Sequence, residues 1–503
     1  MKPQRPTRDQ LIELGRTNPE SLVDLTLSLW DRVEALEAKL AALERNSRNS
    51  SKPPSSDKGN FGNPPKPKSL RGKSGRKPGG QQGHPGDTLS RVTEPDTIIE
   101  HRLAPDAVCP ACGTPLGRES AELPAADCPD FPDCECRQVF DLPAIRIEVT
   151  EHRAEKLVCP ACGETTTAPF PAGVEAPVQY GDTIRAAALY LGSYQLIPYA
   201  RLAELFSDLF SCPLSQATLV NIVGRGGVAA ATAMEPVREA LVDASVAHAD
   251  ESGCRVKGKR AWVHVLSTPQ LTSYHIDAKR GWEGMNRPGW LGRFGGKLIH
   301  DFLSSYYKLK CRHFLCGAHL LRELLYLYEE MDQAWAGEMI GLLLEAKELR
   351  DRENSREAGQ RRVIGEKTRA RIQLRYSEIV LAGYAVNPEP QPPPGPKRGR
   401  VKRSKALNLL IRLEDRYEEI MEFFEYADVP FDNNLAERDL RMIKVREKIS
   451  GTFRSESGAA SFADIRSIIS TAKKQSRNVL GTLAKLFRSP LETGNDLAEG
   501  SRS

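Results

Sequence analysis

The stretch SVAHADESGCRVKGKRAWVHVLSTPQLTSYHID, residues 245–277, marks a change from helical to strand-like patterning. It contains three short β-rich runs, VAHAD, AWVHVLS and LTSYHID, separated by Gly/Lys and Pro/Gln turns. A fourth run, KLIHDF, follows a Gly-Gly pair, and helical patterns then extend from His313 to Tyr384 and from Ala406 to Tyr426. Strands first and helices afterwards predict a mixed α/β sheet with a helical insertion.

Three acidic residues stand out around these predicted strands. Asp250 ends the first strand, Asp301 ends the fourth, and Glu437 lies on a helix beyond the insertion. Three hard oxygen ligands from such positions can hold two Mg²⁺ ions about 4 Å apart for phosphoryl transfer. An Asp at a strand end is commonly a turn or cap residue, and Glu251 is an alternative to Asp250. The ordered combination nevertheless favours a metal site.

The helix of Glu437, within FDNNLAERDLRMIKVREK at 431–448, is rich in bases. Residues three and four apart share a helical face. One face therefore carries Glu437 followed by three bases, and a further base is adjacent to the glutamate: Arg441, Lys444, Lys448 and Arg438. A salt-bridge ladder on a solvated surface is the plain explanation. Beside a metal site, the same bases are expected to bind a DNA backbone.

The composition indicates a globular chain of more than one domain with an uneven charge distribution. The 503 residues are 40% hydrophobic and 27% charged, with a net charge of +5. From Asn46 to Gly80, nine Lys/Arg face one acid, and Lys397–Lys405 adds six bases without an acid. These blocks point to a polyanionic partner such as DNA, and Arg76 and Lys77 in the first block are predicted contacts.

The start of the chain, MKPQRPTRDQ, lacks an apolar signal segment, and no run of about 18 apolar residues occurs. We therefore expect a cytoplasmic protein with no membrane partner. In a reducing compartment, its eleven cysteines should be thiols or metal ligands and not disulfides.

Apolar residues recur at heptad spacing near the N-terminus, and we call them the leucine seam: Leu22, Leu29, Val33, Leu36, Leu40 and Leu43. About three repeats favour a short coiled coil and hence a homodimer or higher oligomer, with a single amphipathic helix as the alternative. The following residues, 46–90, are too polar and too rich in Pro, Gly and Ser to form a core. We expect them to be a disordered basic linker, here called the basic tether.

Two CPAC knuckles predict a structural zinc site. A C-x-x-C turn points two thiolates at one tetrahedral ion, so the two knuckles together offer four ligands: Cys109, Cys112, Cys159 and Cys162. The insertion between them carries Cys128, Cys134 and Cys136, which are either ligands of a second ion or plain thiols. Plain thiols are the preferred interpretation because no fourth ligand is evident.

The residues from Gly181 to Ala249 have a helical pattern that breaks at Ile197-Pro198 and at 212–215, where Ser215 is a predicted N-cap. Helix, short turn and helix is the order of a DNA-reading helix-turn-helix. It is also the order of an ordinary helical hairpin, which we favour because QATLVNIV carries no base to contact a phosphate.

The chain resembles the DDE transposases of the insertion-sequence 66 family, TnpC type, over nearly its whole length. The matching strings extend from the leucine seam to near the C-terminus and include NSSKPPSSD, RKPGGQQGHPGDTL, the knuckles with RQVFDLP and EHR, HADES, HDFLSSYYKL, CGAHLLREL, DNNLAERDLRMIKVREKISGTFRSESGA and STAKK. One departure is DES at 250–252, where the family usually has DET.

This resemblance implies an RNase H-like catalytic core in which Asp250, Asp301 and Glu437 are the metal-binding triad. It also places the family's Cys-x-x-His pattern on Cys316 and His319. Their spacing puts both on one helical face, so they are candidates to share a metal with Cys311 or His313; packing within the fold is the alternative.

The expected protein is a multidomain α/β chain whose RNase H-like core, a mixed sheet flanked by helices, follows a coiled coil and a zinc-binding module. The expected segments are an N-terminal helix or coiled coil (1–45), the basic tether (46–90), a zinc-binding Cys₄ domain (91–177), a helical DNA-binding or connecting region (178–243), the catalytic domain (244–485) with a helical insertion at about 316–430, and a C-terminal tail (486–503).

The expected function is a transposase of an insertion sequence. It would bind terminal inverted repeats and catalyse Mg²⁺-dependent cleavage and strand transfer, with a structural Zn²⁺ and association with the nucleoid when bound to DNA. Accessory proteins encoded by the same element are candidate partners. The alternatives are an RNase H-like nuclease or resolvase that cuts without joining, and a non-catalytic zinc-dependent DNA-binding protein.

Overall fold

The computed structural model describes residues 8–33 except 22, 25 and 32; 89–116 except 100, 102 and 105; 136–143; 145–356; 364–390; 401–426; and 428–501. Most of the leucine seam and of the basic tether, with Arg76 and Lys77, lie outside these residues. The chain divides into two compact units, one formed by Lys68–Val149 and the other by Met1–Pro67 with Thr150–Ser503.

The larger unit contains a mixed sheet, as predicted, with five strands where four were expected. After helix α1 (Arg8–Thr17) and a small antiparallel hairpin, β1 (Lys156–Val158) and β2 (Thr165–Thr167), its strands are β3 (Val246–Val256), β4 (Lys259–Ser267), β5 (Thr272–Asp277), β6 (Lys297–His300) and β7 (Arg312–Leu315). The spatial order is β5-β4-β3-β6-β7. β3, β4 and β5 are antiparallel neighbours, whereas β6 pairs parallel with β3 and β7 parallel with β6.

Two strand predictions were wrong in detail. Asp250 lies within β3 and not at its end, because pairing with β4 through a two-residue turn extends β3 to Val256 despite the poor strand formers Glu251 and Gly253. β7 occupies residues that we predicted to be helical. Its four residues are too few to show a period, and parallel pairing with β6 determines their structure.

Most helices of the larger unit precede or follow the strands of the sheet in sequence, and one short helix lies between two of them. Before it are α2 (Asp182–Leu189) with a π-helical turn (Tyr190–Tyr194), α3 (Tyr199–Phe210) and α4 (Gln216–Val242). Between β5 and β6 lies α5 (Trp282–Met285). After the sheet are α6 (Gly317–Glu330), α7 (Ala334–Arg356), α8 (Glu366–Val386), α9 (Lys405–Asp415), α10 (Tyr417–Met421), α11 (Asn434–Ser450), α12 (Glu456–Lys474), α13 (Val479–Arg488) and α14 (Pro490–Glu499).

The predicted breaks before the sheet are confirmed, including the cap of α4, where the Ser215 hydroxyl accepts the Thr218 N–H at 3.0 Å. α4 packs against α12 and α14. At Gly227, a Cβ would collide with Ser461 of α12, so glycine permits this close approach. A helix buried by such contacts favours the helical hairpin over a DNA-reading helix. The C-terminal tail is part of this packing, since Leu497 of α14 is fully buried.

One predicted helix, Ala406–Tyr426, is divided at Arg416 into α9 and α10. Arg416 leaves the helical conformation, with φ −121° and ψ 27°, and its guanidinium lies over the Tyr307 ring at 4.0 Å and donates to Glu419. The contact with Tyr307 is distant in sequence, so a local pattern does not show it.

Two apolar clusters hold helices on the sheet. The first joins β6 and β7, through Ile299 and Phe314, to α6 through α10. The second joins β3, β4 and β5, through Val263 and Tyr274, to α11 and α12. α11 is therefore fixed along β3, and this is the packing that positions Glu437. None of the described helices is long and apolar enough to cross a membrane.

Candidate active site

Asn433, the residue before α11, connects that helix to the central strand. Its side-chain amide donates to the carbonyl of Ala249 at 2.7 Å, and its Oδ1 lies 2.9 Å from Nδ1 of His248. Its backbone N–H lies 3.2 Å from Sγ of Cys316. Asn433 is fully buried, so these groups depend on one another for hydrogen bonds. The first turn of α11, with Glu437, is thereby held beside Asp250.

Asp250 lies in a strongly anionic surrounding within β3. Burial raises the pKa of Asp250 well above its usual range, and the nearby charges of Glu251, Asp301 and Glu437 raise it further. One Oδ accepts the Glu251 N–H at 2.8 Å. The charges of Asp301, at a strand end, and Glu437, on a helix, thus act on the Asp250 carboxyl although they are far from it in sequence. We call Asp250, Glu251, Asp301 and Glu437 the acidic group.

Asp301 directly follows β6, as predicted. Burial, followed by the charge of Glu251, raises the pKa of Asp301 to about 7, against opposing effects of a hydrogen bond from the Leu303 N–H and the charge of Arg280. A carboxyl group with this pKa is poised to bind a cation on ionisation.

Glu251, the alternative to Asp250, is already engaged. Its carboxylate accepts bonds from Nε and Nη2 of Arg280 at 2.9 and 2.7 Å, and from the Tyr306 hydroxyl at 2.9 Å. Its side chain is only 1% exposed, whereas that of Arg280 is 46% exposed and lies over the Trp262 ring. The Glu251 carboxylate is thus held in place by Arg280 and Tyr306.

Glu437 faces α6 as well as the sheet. Its Oε1 accepts a bond from Arg322 at 3.0 Å and lies 3.6 Å from Nδ1 of His319. Burial, with a smaller effect of Arg322, lowers the pKa of His319 to about 3, so the imidazole is neutral and this contact is not an ion pair. Burial raises the pKa of Cys316 to about 12.

The donor atoms of Cys316, His319 and Glu437 lie within 4.8 Å of one another, close enough to hold one ion. The partner of the Cys-x-x-His pair is thus Glu437, and the predicted partners Cys311 and His313 lie elsewhere. His313 Nδ1 contacts His300 at 2.9 Å, and Cys311 Sγ lies 3.9 Å from Nε2 of His313.

Among the described residues, the group of three metal-binding side chains whose donor atoms lie within 4.8 Å of one another contains Glu437 but neither Asp250 nor Asp301. Asp250 and Asp301 have raised pKa values, so a divalent cation that neutralised them would favour their ionised forms. Cys316 and His319 offer sulfur and nitrogen, which suit a softer ion.

The bases of α11 differ in environment. Arg438, Arg441 and Lys448 are exposed. Lys444 is half-buried, and its amine donates to the carbonyl of Gly253 in β3 at 3.1 Å. Arg446 lies over the Phe453 ring at 3.4 Å. The helix therefore offers three bases to a partner and uses two to pack against its own fold.

A second set of polar contacts, not predicted from the sequence, fixes the other side of α11. Asp439 accepts bonds from Lys474 at 2.7 Å and from Ser267 at 2.5 Å. Lys474 also donates to the carbonyls of Thr268 and Leu271. In the sequence, the feature that pointed to Lys474 was the string STAKK, which ends at this residue. Its role could not be assigned because its partners lie on β4, α11 and the β4–β5 turn.

The two cysteine knuckles adopt similar turns, but they belong to different compact units. In the smaller unit, the Cys109 N–H donates to Thr114 and the Gly113 N–H donates back to Cys109, both at 2.8 Å. In the β1–β2 hairpin, Cys159 and Gly163 make the equivalent bonds at the same distances. Hydrogen bonds lower the pKa of Cys112 and of Cys159, which favours the thiolates that a metal requires.

Cys136 is disulfide-bonded, so the plain thiol that we expected there is wrong. Whether two cysteines pair depends on their separation in the fold, which spacing along the chain does not give. Cys128 and Cys134 lie outside the described residues.

Comparison with family models gives two matches to this chain. The model of the Transposase IS66 family matches residues 177–461, more than half of the chain, including all three predicted triad residues. A family of unknown function (DUF6444) matches residues 5–90. No curated protein matches the chain. The match over the sheet, the helical segment after it and α11 leads to one conclusion: the chain belongs to the IS66 transposase family.

Proposed function

We propose that this transposase binds the terminal inverted repeats of its element and catalyses Mg²⁺-dependent DNA cleavage and strand transfer on an RNase H-like core. The observation that carries the proposal is the electrostatic coupling of Asp250 to both Asp301 and Glu437. Buried acidic side chains with raised pKa values that lie near one another are characteristic of cation-binding sites.

Asp250, Asp301 and Glu437 are the proposed ligands. Bound there, Mg²⁺ would activate the attacking water or 3′-hydroxyl and neutralise charge on the leaving oxygen. Glu251 keeps the group compact through Arg280 and Tyr306. Asn433 fixes the approach of α11, and Arg322 balances the charge of Glu437.

The remaining predicted DNA contacts fall into two groups. Arg438, Arg441 and Lys448 are exposed on the helix of the proposed ligand Glu437, so they suit phosphates near the reacting bond. Arg76 and Lys77 belong to the basic tether, which would add sequence-independent affinity. Lys444, predicted as a DNA contact, is not part of this proposal. Its amine donates to the carbonyl of Gly253, so we propose that it packs α11 against β3.

Two modules outside the sheet complete the proposal. Cys109, Cys112, Cys159 and Cys162 would bind one structural Zn²⁺, and the leucine seam would pair protomers as a coiled coil. We propose that Cys316 and His319 hold the start of α11 in place. Cys316 contacts the Asn433 N–H, and the side chains of Cys316 and His319 are both buried. A role as ligands of a softer ion would appear as a second bound metal that their substitution removes.

The test is a strand-transfer assay with duplexes that carry an element end and a labelled 3′-hydroxyl. Asp250→Ala, Asp301→Ala and Glu437→Ala should each bind the duplex but neither cut nor join it. Glu447→Ala, on the same helix, is the matched control and should keep activity. Cutting without joining by the wild type would support a nuclease or resolvase, and full activity of all three variants would refute the proposal.

A further inference from the structure

The β3–β4 hairpin extends beyond the acidic group and ends in an exposed cluster of bases. The segment CRVKGKR, residues 254–260, contains no acid, and its four bases are exposed: Arg255, Lys257, Lys259 and Arg260. Arg454, also exposed, is next to Phe453, which exchanges backbone hydrogen bonds with Arg255 and Lys257. We call these five bases the hairpin tip.

Two features of the hairpin tip lower the stability of the β3–β4 hairpin. Arg255 lies directly opposite Arg260 in the β3–β4 register, and like charges at paired positions destabilise a sheet. Lys257 has a φ of 51° in the two-residue turn with Gly258, a position where Asn or Gly is favoured. The Arg255 guanidinium donates to the carbonyl of Gly258, in the adjoining turn, at 3.1 Å. Such unfavourable choices at one place point to a bound partner.

The charge of the hairpin tip is little compensated. Lys257 pairs with Glu456 at 3.1 Å, but both side chains are more than half exposed, so the pair contributes little. Five bases against one acid form a surface complementary to a polyanion.

The same helix and strand connect the hairpin tip to the acidic group. β3 and α11 lie side by side, joined by Asn433 and Ala249 at one end and by the bridge of Val256 with Phe453 at the other. From Asp250 to Lys257, seven residues of strand span about 23 Å. The exposed bases Arg441 and Lys448 lie along this span.

We propose that the hairpin tip binds the phosphate backbone of duplex DNA about six or seven base pairs from the reacting bond, at about 3.4 Å per pair along each strand. The position of the reacting bond rests on the proposed function; the binding of DNA phosphates by the hairpin tip does not.

The first test measures the affinity of the full chain for an element-end duplex at several salt concentrations. Arg255→Gln, Lys259→Gln and Arg260→Gln together should reduce the slope of log affinity against log salt by about two to three. The matched control, Lys367→Gln, Arg371→Gln and Arg375→Gln, removes three exposed bases from α8 and should leave the slope unchanged. An unchanged slope in the hairpin variant would overturn the proposal.

Lys257→Asn is a second variant that tests the proposal if the triple variant does not fold. It should fold, because Asn tolerates a positive φ better than Lys. This variant should keep or raise the Tm and still reduce the slope by about one. A full wild-type slope in this folded protein would also count against the proposal.

The second test shortens the duplex one side at a time. When fewer than about six base pairs remain on one side of the cut, wild-type affinity should fall to that of the triple variant, which should not respond. Equal responses of the two proteins would refute the predicted distance. Asp250→Ala should bind with the wild-type slope yet fail to cut. If Asp250→Ala cuts, the proposed function fails, while the slopes still report on the hairpin tip.

Discussion

The side-chain amide of Asn433 donates a hydrogen bond to the carbonyl of Ala249, the residue before Asp250, at 2.7 Å. This contact joins two segments 184 residues apart and brings the helix of Glu437 to the central strand. The catalytic geometry proposed for this transposase depends on such long-range polar contacts, and the following predictions test them.

Asn433→Ala should destabilise the protein by about 2–4 kcal/mol, because it leaves the buried Ala249 carbonyl and His248 ring without their partner. Glu437 should also be less well placed, so strand transfer should need more Mg²⁺. Thermal unfolding and a Mg²⁺ titration of activity measure both effects. Asn434→Ala, at an exposed neighbouring position, is the control and should be close to wild type.

Lys474→Met should destabilise the protein by about 3–5 kcal/mol, because Asp439 becomes a buried charge without its partner. Asp439→Leu with Lys474→Met should be less damaging than the sum of the single changes. Denaturant unfolding of the two single variants and the double variant gives this coupling. Lys473→Met removes an exposed neighbouring lysine for comparison, and additive losses would show that the pair is not coupled.

The stability of the metal-free protein should fall as pH rises from about 4 to 7. The pKa of Asp301 is about 7 in the folded state against 3.8 ordinarily, so the folded state holds the extra proton in this window and loses that advantage on ionisation. The loss should be about 4 kcal/mol. Saturating Mg²⁺ should raise Tm more at pH 8 than at pH 5, since it binds the ionised group. Asp301→Asn should remove the part of this pH dependence that Asp301 contributes and leave that of Asp250, whose pKa is also raised. An equal Mg²⁺ effect at both pH values would contradict the assignment.

The purified chain should contain one Zn²⁺, bound by Cys109, Cys112, Cys159 and Cys162. Chelation should unfold the segment from about Val92 to Pro177, because metal binding supplies folding free energy there. Metal analysis and circular dichroism of that segment measure this. Cys159→Ser should lose the metal, whereas Cys254→Ser, at a buried cysteine of β3, should retain it. Metal-free protein with unchanged dichroism would exclude a structural role for zinc.

The sequence by itself determined the order of elements and the position of the acids along the chain. Hydrophobic alternation in 261–267 and 271–277 predicts strands, and the helix of Glu437 and the cap at Ser215 follow from local chemistry. These features depend on neighbours within a few residues, so a pattern is enough to reveal them. The long motif strings likewise indicated the family before the fold was known.

Tertiary structure decided which residues meet. The extension of β3 past Asp250 and the strand β7 arise from partners distant in sequence, and the break at Arg416 coincides with such a contact, to Tyr307. The same holds for the pairing of Glu437 with Arg322 and of Asp439 with Lys474. A local pattern fixes the face on which a side chain lies. The group it contacts there is set by packing between segments, because burial forces each charge and each backbone donor to find a partner wherever the fold provides one.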